Sequence, residues 1–264
     1  MSAGRALTDA DVVYSDADDA ALYDVLNPWD PAADPADRFY DELVMAADSV
    51  LDVGCGTGAM LHLAREQGHP GRLTGIDPDV AALARARCRA DIEWIEGTAA
   101  GARRARRAGQ PGFGLATMTS HAFQCLVTDQ DLHDSLAAIR AVLRSGGQLA
   151  FETRHPQARA WTDWNPGHAA DVVDEAGRAL RVWHEAESVR DGVVTFTGTT
   201  AAADGTVLRV ATQSLRFLGP DELGGLLAGA GFQIVVQYGD WQGGPLTGVS
   251  REIITIARAL AREP

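Results

Sequence analysis

Residues 50–60, VLDVGCGTGAM, hold the densest chemistry in the sequence. An apolar run carries one acid, Asp52, and is followed by Gly54, Gly56 and Gly58 at every second position. The residues after them have helical texture. A strand that turns sharply into a helix needs positive φ or a missing Cβ where a ligand approaches. The helix N-terminus then offers unpaired N–H groups. A pyrophosphate loop expects GxGxxG, with the anion over the helix start. Here the third glycine arrives one residue early, and Asp52 would repel a pyrophosphate but suits a cation. Asp77 ends the next apolar run, nineteen residues after Gly58, where a carboxylate can accept hydrogen bonds from both hydroxyls of a ribose. His121, in MTSHAFQ (118–124), supplies an imidazole, a group that can take a proton near neutral pH. Cys55 reads as a small loop filler.

These residues need rigid elements to place them. From Asp48 short apolar runs alternate with helical stretches, the mark of βαβ units and a mostly parallel sheet. The strands are SVLDV (49–53), RLTGID (72–77), DIEWIE (91–96), FGLATM (113–118) and GQLAFE (147–152). Helices fit at 58–67, 79–89 and 131–143; the last puts Leu132, Leu136, Ile139 and Leu143 on one face. Residues 103–107, RRARR, are expected in a surface helix. Residues 153–180 are polar and rich in Trp and Pro. Beyond them, 181–217 alternates apolar with polar residues around Asp-Gly pairs at 191–192 and 204–205, which favour tight hairpins. The expected fold is a doubly wound α/β sheet with a three-stranded antiparallel insertion. A helix at 220–230 and strands at 232–238 and 252–257 complete it, around the WQGGPLTG loop. The expected division is an acidic helical cap at 1–47, a core at 48–153 and 218–264, and a lid at 154–217.

Composition narrows the function. The chain has 264 residues, 23 basic against 36 acidic, and a net charge of -13. Residues 1–42 hold eleven acids against Arg5 and Arg38, so 2 - 11 = -9 of that charge sits at the N-terminus. Tyr14, Tyr23, Trp29, Phe39 and Tyr40 make this segment too aromatic for a plain disordered tail, and helices are expected near 17–25 and 35–46 around the NPWDP turn. Electrostatics opposes nucleic acid and anionic membranes as partners. All basic residues are Arg; without Lys, Schiff-base chemistry and the lysine of a Walker loop are excluded. Cys55, Cys88 and Cys125 show no CxxC spacing, and seven histidines form no zinc pattern, so neither a disulfide framework nor a metal site is expected. The sequence shows neither a signal peptide nor a long apolar span, and a cytoplasmic protein is expected.

The LDVGCGTG segment resembles the first motif of the class I S-adenosylmethionine-dependent methyltransferases, and the resemblance runs from about Ser49 to Ala257. It implies a seven-stranded sheet with the last strand antiparallel, and S-adenosylmethionine as cofactor over the ends of the first two strands. Asp52 and the backbone of Gly54, Cys55 and Gly56 would hold the methionyl portion, with Gly58 completing the loop. Asp77 would hold the ribose and Pro78 flank the adenine. The family usually has a Gly-Asp pair after the third strand; here Gly97-Thr98-Ala99 stands there, leaving Thr98 and Ala99 as adenine contacts without the acid. Gly114 occupies a position where an Asp is common. Met118, which begins the segment in which the family places substrate-facing residues, is a candidate cofactor contact, and His121 becomes the candidate catalytic residue.

The insertion resembles the lid of small-molecule members, including sugar N-methyltransferases of antibiotic pathways. The resemblance therefore implies methyl transfer to nitrogen or oxygen of a small, secondary-metabolite acceptor. Transfer from a sulfonium is an in-line displacement, which alignment alone accelerates greatly. Arg154 and His155 at the cleft rim, and Trp161, Trp164 and Trp241 in the loops, are candidate acceptor contacts. Tyr14, Tyr23 and Trp29 are candidates to close the cap over cofactor and acceptor. The competing readings are a non-catalytic cofactor-binding module and a nicotinamide-dependent oxidoreductase. The acceptor, the atom methylated and the number of methyls stay open, as does a homodimer through cap or lid.

Overall fold

The computed structural model describes residues 14–261; the first thirteen residues of the acidic segment lie outside them. Two helices come first, α1 (Asp16–Leu26) and α2 (Pro35–Ala46). Each start is written in the sequence. Ser15 and Asp18 form a capping box on α1, and Asp34 caps α2 with Pro35 in its first turn. The core follows as β1 (Ser49–Val53), α3 (Ala59–Glu66), β2 (Arg72–Asp77), α4 (Val80–Ala86), β3 (Glu93–Glu96), β4 (Phe113–Met118), α5 (Asp129–Val142) and β5 (Leu143–Arg154). After an insertion it closes with α6 (Pro220–Gly229), β10 (Phe232–Tyr238) and β11 (Glu252–Ala259).

Seven strands make one sheet in the order β10-β11-β5-β4-β1-β2-β3, with β11 antiparallel to both β10 and β5. The parallel strands therefore end at one edge, where an open α/β sheet binds its ligands. Both faces are covered. Leu51, Val53, Ala116, Leu149 and Phe151 share a core with α5 and α6, whereas Val50, Leu115, Ala150 and Ile256 pack with Tyr40 and Val44 of α2 and Leu61 of α3. Strand alternation then puts Asp52, Thr117, Glu152, Arg154 and Glu252 on the second face, at its ligand-binding end.

Two local expectations are corrected. Residues 103–107 do not form a surface α-helix: Ala99–Ala105 is a 3-10 helix whose Ala99, Ala102 and Ala105 are all buried, matching its three-residue period. The lid has four strands, not three: β6 (Ala170–Val173), β7 (Ala179–Arg190), β8 (Val193–Ala202) and β9 (Val207–Arg216), paired in that order. The extra strand is only four residues long and follows a polar stretch, too short for alternation to reveal it. The β7–β8 hairpin turns at Asp191 (φ 50°) and Gly192 (φ 76°), the paired left-handed residues of a type I′ turn.

Helix α1 is tied to both neighbours by charge. Arg85 of α4 pairs with Asp24 (2.9 Å) and with Glu175 of the β6–β7 turn (2.6 Å). Arg178 and Arg209 of the lid pair with Asp18 and with Asp16 (2.7 Å). All these pairs are partly exposed, so each is worth at most ~1 kcal/mol. Together they seat the acidic helix between core and lid.

Candidate active site

The turn after β1 is built as its glycines require. Gly54, Gly56 and Gly58 all have positive φ (80°, 53° and 82°), and Gly58 starts α3. A Cβ on Gly58 would collide with the Trp94 indole, and one on Gly54 would lie 2.9 Å from Ala122; in front of Gly56 the space is open. Asp77 at the end of β2 accepts from Gly56 N and Asp79 N, both at 2.8 Å. Burial raises its pKa in spite of those donors. Asp52 is 2% exposed and accepts from the Thr117 hydroxyl at 2.8 Å. Burial above all, with Asp77 and Glu152 nearby, pushes Asp52 up to about 7. Two buried acids thus lie beside an open glycine cradle, an arrangement whose charge suits a cation and whose acceptors suit a diol.

Beyond β4 the chain makes a second constrained turn. Ser120 and His121 are both left-handed (φ 53° and 62°), a conformation that costs non-glycine residues of order 1–3 kcal/mol each unless the surroundings impose it. The surroundings do. His121 N donates to Glu152 Oε1 at 2.7 Å, and His121 Nε2 lies 3.0 Å from Glu252 Oε2. Glu152, 2% exposed, also accepts from the Tyr40 hydroxyl. Burial raises the pKa of Glu152, and it carries Tyr40 well above the ordinary phenol range. A carboxylate only accepts, so the bond to Glu252 places the proton on Nε2 and leaves the lone pair of a neutral His121 ring on Nδ1.

The remaining predicted residues divide between the cleft and the frame around it. Tyr23 is 45% exposed overall, but its hydroxyl is turned inward to bond Ser120, and burial raises its pKa, with the charges of Glu152 and Asp77 adding to it. Its neighbour Asp24 accepts from the Thr57 hydroxyl, which ties α1 directly to the glycine loop. Arg154 ends β5 with Nη1 3.3 Å from Gln124 Oε1 and its guanidinium 5.7 Å above the Trp164 ring. Pro78 and Thr98 are exposed beside Asp77, whereas Ala99 and Met118 are core residues whose side chains face away from solvent.

Others hold the frame. Tyr14 is 4% exposed, packs with Leu22 and Leu180 and lies under the Arg178 guanidinium, joining cap to lid. Trp29 packs beside Tyr40 and Val44. Trp241 packs on Phe39 and Tyr40 at 5.6 and 5.9 Å, and Trp161 on Phe217 at 4.7 Å. His155 is 4% exposed, and its Nδ1 accepts from Gln157 N at 3.1 Å, so it caps the turn after β5. Cys55 is buried against Leu83 and Ala86, and burial raises its thiol well above the usual range, which suits a filler. Glu152, Glu252, Tyr40, Gln124 and the lid residue His184 were not singled out from sequence. An acid inside the otherwise apolar parallel strand LAFE is the signal that marks Glu152.

Residues 50–147 match a family model described as a methyltransferase domain, and the sheet order with its reversed last strand frames that match. This part of the chain is thus similar to methyltransferase domains. The chain is 34% identical over 121 residues to a 2-phytyl-1,4-naphtoquinone methyltransferase of Thermosynechococcus vestitus, covering 42% of this chain and 49% of that protein. The chain thus matches about half the length of its curated relative. The whole fold is similar to the CcbJ methyltransferase of Streptomyces caelestis (TM-score 0.69, 19% identity, 94% of this chain and 100% of that one). It is also similar to the sugar N-methyltransferase KedS8 of Streptoalloteichus sp. ATCC 53650 (TM-score 0.68, 21% identity, 99% of both chains). Among the described residues, no helix is long and apolar enough to cross a membrane, and no His, Cys, Asp and Glu cluster could hold a metal ion.

Proposed function

We propose that the protein transfers the methyl group of S-adenosylmethionine to the nitrogen of a small-molecule amine, with oxygen as the second acceptor atom to test. The observation that supports this reading most is the placement of His121. A histidine held in a left-handed turn, with its Nε2 on Glu252, is followed by Ala122, which packs against Gly54 of the loop that bonds Asp77 through Gly56 N. When bound, S-adenosylmethionine supplies a methyl on a positively charged sulfur; the acceptor lone pair forms the new bond as the C–S bond breaks.

The chain contributes position and proton transfer. Asp52 and the backbone at Gly54, Cys55 and Gly56 would hold the methionyl end, and Asp77 the ribose diol. Thr98 and Ala99, where an acid is usual, leave the adenine with backbone and hydroxyl partners. Glu252 fixes the His121 tautomer, and Nδ1 takes the proton that the amine must lose. Glu152 accepts from His121 N and from Tyr40, and so keeps the turn rigid. The buried carboxylates also favour a protonated amine over a neutral alcohol in the encounter, which is why nitrogen ranks first. The lid and the acidic surface support a compact metabolite, of the kind built in secondary metabolism, over nucleic acid; the relative KedS8 is itself described as acting on a sugar nitrogen.

The test is release of S-adenosylhomocysteine with matched panels of amines and alcohols. Turnover with amines, with kcat about 10²-fold lower in His121→Ala and cofactor affinity unchanged, is the expected result. Cofactor binding with no turnover on any acceptor would instead favour the non-catalytic module.

A further inference from the structure

Arg154 and Glu252 are directly opposite in the antiparallel register of β5 and β11. Opposed side chains have Cβ atoms ~4.5–5.5 Å apart, and opposite charges there ordinarily pair. These two do not. Glu252 is engaged by His121 Nε2 at 3.0 Å, and the guanidinium is turned the other way. Its Nη1 donates to Gln124 Oε1 at 3.3 Å, and Trp164 lies beneath it. Gln124 is fully buried and fixed in turn, donating to Arg216 O at 3.1 Å and accepting from Arg154 N at 3.2 Å. Among the described residues, no carboxylate comes within 4 Å of Arg154.

The surroundings make that unusual. The charged and titratable groups around Arg154 are Glu152, Glu252, Cys125 and Tyr23 from core and cap, and His184 from the lid. Burial lowers the Arg154 pKa, and burial together with the Arg154 charge lowers that of His184. A guanidinium has five N–H donors in a planar fork suited to a carboxylate or phosphate, and Gln124 occupies one edge only. Two strand spacings separate β5 from β1 in the sheet, so the guanidinium is anchored on the order of 10 Å from the strand that carries Asp52.

We propose that Arg154, walled by Trp164 and His184, is an oxyanion subsite for the acceptor, which therefore carries a carboxylate or phosphate as well as the nitrogen to be methylated. The acceptor is then an amine of zwitterionic type: its cationic end faces Glu252 and His121, and its anionic end faces the free edge of the guanidinium. This rests on the reading of the cleft as an amine methyltransferase site, and it adds the substrate class.

The experiment titrates the complex with S-adenosylhomocysteine using inorganic phosphate and, separately, acetate, in the wild-type chain, Arg154→Met and Arg154→Lys. Saturable millimolar binding of at least one anion is expected, weakened at least tenfold in Arg154→Met and about threefold or more in Arg154→Lys, which keeps the charge but loses the fork. S-adenosylhomocysteine affinity should stay within twofold throughout. Phosphate binding alone assigns a phosphorylated acceptor, and acetate binding alone a carboxylate. Equal anion binding by the wild type and both variants, or none by the wild type, overturns the proposal. Loss of S-adenosylhomocysteine in Arg154→Met also overturns it, because the arginine would then serve the cofactor. Failure of the wild type to bind S-adenosylhomocysteine would instead strike the underlying functional reading. If Arg154→Met does not fold, Arg154→Lys carries the same comparison.

Discussion

The two ends of the cleft are made of different material. At the β1–β2 end the protein offers backbone: three left-handed glycines, N–H groups aimed at one carboxylate, and an open space before Gly56. At the β4–β5–β11 end it offers side chains that hold one another, with Tyr40 on Glu152, Glu152 on His121 and His121 on Glu252. A backbone cradle tolerates little change at its own positions but needs no partners elsewhere. A side-chain network is the reverse, because each member is replaceable in principle and each depends on residues far along the chain. The difference teaches where each half is fragile: the first to any added Cβ, the second to the loss of one partner.

The largest effect should come from breaking the cradle. In Gly58→Ala a methyl would enter the space of the Trp94 indole, at a residue whose φ of 82° already disfavours any side chain. Strain and overpacking together predict about 2–4 kcal/mol lost, read as a fall of roughly 6–12 °C in Tm, with cofactor affinity falling alongside. An unchanged melting curve would mean that the loop yields freely and the cradle is not rigid. The network end should respond differently: His121→Ala is expected to lower turnover while leaving the fold and cofactor affinity in place.

The smallest effect should come from the cap, which spans both ends. Asp24 bonds Thr57 of the cradle and Arg85 of α4, and both partners are partly exposed. In Asp24→Ala, dissociation of S-adenosylhomocysteine should speed about 3–5-fold, the equivalent of roughly 1 kcal/mol. The difference should narrow in high salt. Stopped-flow dissociation at low and high salt measures it, and equal rates in both chains would show that α1 does not hold the cofactor closed.

The same contrast explains what the sequence disclosed. Asp52, the three glycines and Asp77 lie within 26 positions and belong to one βαβ unit, so spacing alone brings them together. The seven-stranded sheet with its last strand antiparallel is what the resemblance carried by that unit implied, and the structure has it. The network joins Tyr40 to Glu152 across 112 positions and His121 to Glu252 across 131; no local pattern encodes such a meeting. It becomes visible only once strand alternation puts Glu152, Arg154 and Glu252 on the α2 face. Aromatic residues show the same limit: the packing of Trp161 on Phe217 and of Trp241 on Phe39 and Tyr40 is not legible from their loops. A large apolar ring near a cleft is drawn first to other apolar rings. The β6 strand escaped because four residues carry too little alternation.

The central claim is that the cradle's buried acids await a cationic, ribose-bearing cofactor. Asp52, pushed up to about 7, is largely protonated below that pH and must ionise to meet a positive ligand. The sign follows: affinity for S-adenosylmethionine should rise as pH increases towards 7 and level off above it, with proton release on binding at the lower pH. Calorimetric titration of the wild type and Asp77→Ala with S-adenosylmethionine, S-adenosylhomocysteine and NADH, at pH 6 and pH 8, tests this most directly. The expected result is micromolar binding of the first two, loss of both in Asp77→Ala, proton uptake by the buffer at pH 6 only, and no NADH binding. NADH binding in place of S-adenosylmethionine, or S-adenosylmethionine binding untouched by Asp77→Ala, would contradict it.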